Sequence, residues 1–189
     1  MAEISIDIKT PWLDAIEKRL DPSARAELHR EIAAEIGETV RDHLRDYALA
    51  HHETADALGA RPTGNLEDAV VSESADSGGA TVTVAAKGIR RALGDVTIRP
   101  KEKAALTIPV AALAYGRKVD YLESHGVEVF RPKGKNYLAT TEGDGKLVPL
   151  YILVKRATLK HEPKLLPTRE TLAANALEAA RDFIMEGAA

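Results

Sequence analysis

The chain predicts an α+β fold, with helices at both ends and a meander of short strands between them. Three observations predict it. Leu28, Ile32, Ile36, Val40, Leu44 and Ala48 recur four apart, the mark of a long amphipathic helix. Ala80-Thr81-Val82-Thr83-Val84-Ala85 is β-branched and alternates with period two, the mark of a strand. Leu172, Ala176, Ala180 and Phe183-Ile184 form a second helical stripe near the C-terminal end. The expected organisation is a single α+β domain over 1–189. N-terminal helices fill 10–59, a small, mainly antiparallel sheet fills 69–160, and a C-terminal helix over 168–186 packs on the sheet.

The first helix is expected from Pro11 to Leu20. Thr10 stands at the N-cap, and Pro11 fits the first helical position, where its missing N–H costs nothing. Asp21-Pro22 repeats the start signal, and the long helix is expected to run to about Leu58, with Gly59 as its stop. At 1.5 Å per residue it is about 55 Å long, against about 17–20 Å for a typical strand. It therefore bends, with Gly37 as the candidate position, or part of its stripe meets another molecule. Thr63-Gly64-Asn65 opens a short helical turn with Leu66, Ala69 and Val70 on its apolar side. Val70–Ala75 and the strand from Ala80 form a hairpin around Ser77-Gly78-Gly79. Val96–Ile98 is a short strand stopped by Pro100. Val110–Leu122 reads as a short helix or loop. Val127–Phe130 and Tyr137–Thr140 form a hairpin around Pro132-Lys133-Gly134. Leu147–Leu159 reads as one strand, with Tyr151, Leu153 and Lys155 on one face and Ile152, Val154 and Ala157 on the other. Thr168 caps the last helix and Gly187 ends it.

Composition narrows the function. With no cysteine the chain has no disulfide, no thiolate nucleophile and no Cys-ligated metal site. It fits synthesis in a reducing cytoplasm. The acidic start lacks the apolar run of a signal peptide, and no stretch approaches the roughly 18 apolar residues of a membrane helix. The net charge of −3 is unevenly spread. Residues 1–60 hold 7 Lys/Arg against 13 Asp/Glu, net −6, and 61–80 add −3. Residues 81–160 hold 15 against 7, net +8, and 161–189 add −2. An ordinary solvated surface accounts for this. So does pairing between copies, acidic helix to basic middle. Nucleic-acid contact is a third account, weakened by the 4% aromatic content.

No catalytic constellation stands out. His51-His52-Glu53 begins like a zinc-helix motif, but adjacent histidines lie about 100° apart on a helix and the second i+4 histidine is missing. G-x-S-x-G and the P-loop are absent, and the paired glycines at 78–79 and 143/145 are turn glycines. The carboxylates of the long helix have Arg or Lys three or four residues away, as in Glu27–Arg30 and Glu38–Arg41. No cofactor and no metal are expected.

Two proline-bounded segments are more distinctive: IRPKEKAALTIP over 98–109 and LYILVKRATLKHEP over 150–163. Together with Thr63-Gly64-Asn65-Leu66 and the order helices, sheet, helix, they resemble the tailed-phage virion-morphogenesis, neck and tail-completion proteins, including the minor tail protein Z type. In this chain the second lysine of the first segment falls one position early, at Lys103. Lys164-Leu165-Leu166 replaces the arginine and aromatic that usually follow the last proline. The resemblance implies a non-enzymatic ring subunit of the neck or upper tail. It would be made in the bacterial host cytoplasm and carried in the virion, with itself and other neck or tail proteins as partners. Transient contact with DNA in the channel is a further expectation, and no membrane partner is implied. The candidate subunit-contact residues are Ile36, Val40 and Leu44 on the helix stripe and Arg90, Arg91, Arg99, Lys101 and Lys103 in the basic middle. The alternative is a nucleic-acid-binding α+β module using that basic region.

Overall fold

The computed structural model describes residues 2–7, 12, 16–17, 20–61, 66 and 68–187. It is α+β, with small antiparallel sheets. Its residues group into two compact units, where the sequence reading takes 1–189 as a single α+β domain. The first unit holds 1–50, 65–94 and 161–189, and the second holds 51–64 and 95–160.

In the first unit, β1 (Ala2–Asp7) and β2 (Val70–Asp76) pair antiparallel on either side of β3 (Gly79–Ala86). The alternation of β3 buries Val82, Val84 and Ala86, as its period-two pattern predicts. The β2–β3 hairpin turns where it was expected, with Asp76 Oδ1 accepting from Gly78 N–H at 2.7 Å. Helix α1 (Pro22–Ala50) packs on β2 and β3. It opens on an Asp21 cap, whose carboxylate accepts from the N–H groups of Ser23 and Ala24.

A stripe advancing by fours rotates about 40° per step on a helix of 3.6 residues per turn. From Leu28 to Ala48 it therefore turns through about 200°, so one partner does not cover it. The sheet covers part, and the C-terminal helix, numbered α4 in chain order and spanning Arg169–Gly187, packs on α1 as well. Ala176 and Ala180 of α4 join Leu28, Ile32, Ile36, Val40 and Leu44 in one core. The expectation that the last helix lies on the sheet is thus corrected, because its main partner is α1.

Helix α1 is shorter than expected, 29 residues or about 44 Å. The next stripe position after Ala48 is His52, so nothing apolar drives another turn. The short α2 (Glu53–Ala57) follows and ends at Gly59, whose φ of +62° suits glycine. Gly37 lies inside α1 and is buried against the side chain of Glu73 on β2, so it is a place of close approach. Trp12 and Ile16 are helical and pack against this core, while the rest of the expected first helix lies outside the described residues. The expected turn at Thr63-Gly64-Asn65 lies outside them too.

The second unit carries β5 (Leu106–Pro109), β6 (Tyr137–Thr141) and β7 (Leu147–Val154) in the order β5-β7-β6, all antiparallel. A separate ladder joins β4 (Val96–Ile98) to β8 (Ala157–Leu159). The single strand expected over Leu147–Leu159 is therefore two, broken at Lys155-Arg156. The readily drawn hairpin around Pro132-Lys133-Gly134 reduces to one bridge, Phe130 with Ala139. The ambiguous stretch before it holds a 3₁₀ turn at Ala112–Ala114 and α3 (Val119–Ser124). Ala114, Leu122, Leu150 and Tyr151 form this unit's core. Among the described residues, no helix is long and apolar enough to cross a membrane.

Candidate assembly surface

The strand parts of the two proline-bounded segments, some 50 residues apart in sequence, lie side by side in the second unit. Ile98 pairs with Ala157 at the end of the β4–β8 ladder, and Leu106 pairs with Val154 at the start of the β5–β7 ladder. Between these two pairs one strand needs only Lys155-Arg156, while the other takes the detour 99–105. Pro100 shapes that detour, since proline removes a ladder donor and pushes Arg99 away from helix. The detour carries Arg99, Lys101, Glu102 and Lys103, all exposed, opposite exposed Lys155 and Arg156. The result is a cationic arch of five positive side chains and one carboxylate. Lys103 reaches Asp120 of α3 at 3.8 Å, a largely solvated pair of little energetic weight.

Beside the arch lies the outer face of the β5–β7–β6 sheet. Ile108, Ile152 and Tyr137 stand in one cross-strand row, with Leu106 and Val154 two positions along on the same face. A bulge follows between Leu138 and Ala139. It tucks Leu150 into the core beside Tyr151 and returns Pro149 and Leu147 to the outer face, paired with Ala139 and Thr141. Ile108, Leu147 and Ile152 are 39, 47 and 44% exposed. A sheet face of this kind usually alternates to polar where it meets water, and here it stays apolar on β5 and β7, with Tyr137 of β6 beside them and Thr141 at its end.

The inner face of the sheet carries this unit's core. Tyr151 is buried, and its hydroxyl donates to the carbonyl of Arg117 at 3.1 Å. Burial pushes its phenol above the ordinary tyrosine value, offset in part by the nearby Arg117 charge. Arg117 donates to the Leu113 carbonyl and lies 6.0 Å from the ring centre of Tyr121, which stacks on His125. Arg117 and Tyr121 line part of a cleft of about 670 Å³ with Arg61, Tyr115, Lys118 and Asp120.

The expected contact residues divide three ways. Arg99, Lys101 and Lys103 come together on the arch. Arg90 and Arg91 lie in the first unit, on a 3₁₀ turn over Ile89–Ala92 opened by Gly88 at φ +79°. Ile36, Val40 and Leu44 are corrected: each is at most 1% exposed, closed over by β2, β3 and α4, and offers no surface to another subunit. Lys155, Arg156 and the outer apolar face are what the sequence reading missed. The alternation of Ile152 and Val154 was visible there, but not which side of the sheet would be covered.

No protein-family model, curated protein or solved structure matches the chain. The chemistry of the surface must therefore speak for itself. It offers cations beside apolar area. Among the described residues no group of three or more His, Asp and Glu side chains is placed to hold a metal ion.

Proposed function

We propose that this chain is a structural subunit of a tailed-phage or prophage particle, completing the neck or upper tail by ring assembly at the head–tail junction, and that it turns over no substrate. One observation carries the reading. The two segments that resemble the tail-completion family pair with each other, and their strands form an apolar sheet face open to solvent beside a cationic arch. An exposed apolar face rimmed by charge is the usual signature of a protein contact. Its place in the virion follows from the same reading.

Light scattering and negative-stain electron microscopy of the purified protein test it, alone and with a neighbouring neck or tail subunit. Closed rings or a defined complex are the expected outcome. A chain that stays monomeric at high concentration under both conditions overturns the proposal. A metal-dependent hydrolysis lost on changing His51, His52 and Glu53 to Ala would also overturn it.

The arch alone supports a second reading, a nucleic-acid-binding module. Duplex binding that weakens by orders of magnitude as salt rises through the physiological range, and that disappears on charge reversal at Arg99, Lys101 and Lys155, would favour it.

A further inference from the structure

Each unit bears an exposed apolar face, and the charges around the two faces are opposite in sign. On the second unit it is the sheet face of Ile108, Leu147 and Ile152 with the cationic arch at its end. On the first unit it is the outer side of α4. That helix buries Ala176 and Ala180 and packs Leu172, Ala179 and Phe183 against the core. On its other side Leu177 and Ile184, one heptad apart, are each 40% exposed, and Met185 is 71% exposed. Glu178 and Asp182 stand exposed among them, with Arg181 as the intervening cation. The units as wholes repeat the contrast. The first holds 13 Lys/Arg against 20 Asp/Glu, net −7, and the second 13 against 9, net +4.

We infer that the occupant of the open sheet face is α4 of a second copy of this chain, so that copies join head to tail. This deepens the ring-subunit reading and rests on it. The dimensions agree. The apolar stretch of α4 from Ala174 to Met185 is about 17 Å long, and β7 from Leu147 to Val154 spans about 23 Å. The charges select the heterologous contact. Two α4 faces would bring Glu178 and Asp182 of each copy together, and two sheet faces would bring two arches together. Helix on sheet sets carboxylates against Lys155 and Arg156. A contact between two different patches of one chain repeats from copy to copy and closes into a ring when the rotation allows.

Engineered cysteines test this, because the native chain has none. Ile152→Cys and Leu177→Cys are made as separate chains, checked by circular dichroism for unchanged folding, then mixed and oxidised. A disulfide-linked dimer is expected from the mixture and not from either chain alone. Separately, Lys155→Glu with Arg156→Glu should weaken association at least tenfold. Glu178→Lys with Asp182→Lys in the partner copy should restore most of it. Four results overturn the inference: dimers from one variant alone, closure within a single chain carrying both cysteines, no mixed dimer, or charge reversal without effect. If wild-type rings form while no mixed dimer does, the helix-on-sheet contact is wrong and the ring reading stands. If the wild type stays monomeric alone and with neck neighbours, the ring reading falls with it.

Discussion

His29 faces the interior of the first unit from α1 and is 0% exposed. Its Nδ1 lies 2.5 Å from the carbonyl oxygen of Asp76, and its Nε2 lies 2.8 Å from a carboxylate oxygen of Glu17. The imidazole thus ties the start of the chain, the long helix and the β2–β3 turn at one point. Replacing it by Leu keeps the volume and strands both oxygens, at an expected cost of about 2–3 kcal/mol, read as a lower urea midpoint. Nothing in the sequence separates His29 from the other five histidines, because its partners are 12 and 47 residues away. Gly37 was legible as special and was misread. It reads as a bend, yet its missing Cβ is what lets Glu73 lie against the helix and pair with Arg41. Tyr151 gives a pH-dependent test. Its folded pKa is raised above 10.0, so above that pH the unfolded chain releases the phenol proton while the folded chain holds it. Its contribution is therefore full below about pH 10 and lost as pH rises further. The stability gap between wild type and Tyr151→Phe should be steady up to about pH 9.5 and narrow above it, measured by denaturant titration at each pH.

At the scale of elements, periodicity located the helices better than it located their partners. The stripe of α1 was plain from residues 28–48, and its length suggested that part of it lies open to a neighbour. The slow rotation of a four-residue repeat supplies the missing account, since it hands the helix from the sheet to α4. Changing Ile36 and Val40 together to Asp should abolish the thermal transition of the first unit, because two buried carboxylates each cost several kcal/mol. A folded but dissociated double variant would show that the stripe faces outward after all. Strand β1 went unread because it offers only Ile4 and Ile6 as apolar positions, and its pairing partner β3 begins some 70 residues later. The break between β7 and β8 went unread for a similar reason. Lys155-Arg156 is only a two-residue polar interruption of the strand pattern, and it is the ladder with β4 that shows that pairing changes there. The basic loop was legible as charge, and its position beside Lys155 and Arg156 was not.

For the whole molecule, the charge contrast along the sequence survives in the two units, net −7 and net +4, although Lys87, Arg90 and Arg91 of the basic stretch fall in the first. Association between copies should therefore weaken severalfold between 50 and 500 mM salt, as screening shortens the reach of the charges. Sedimentation velocity across that range checks it, and a salt-independent assembly would assign the contact to apolar area alone. The division of the chain also has a consequence for biosynthesis. The first unit is assembled from three separate stretches, and its core needs Ala176 and Ala180 of α4. The second unit is complete in sequence by residue 160. As the ribosome extends the chain at about 5–20 residues per second, the later-starting unit has all its residues first, and the earlier-starting one must wait for the last helix. A nascent chain thus holds every residue of the sheet face before it holds the helix that, on the proposed contact, would occupy the same face on a neighbour. On the proposed contact, a chain with the sheet face alone would accept a neighbour's helix without passing the contact on, so a copy would need both halves of the joint to extend an assembly.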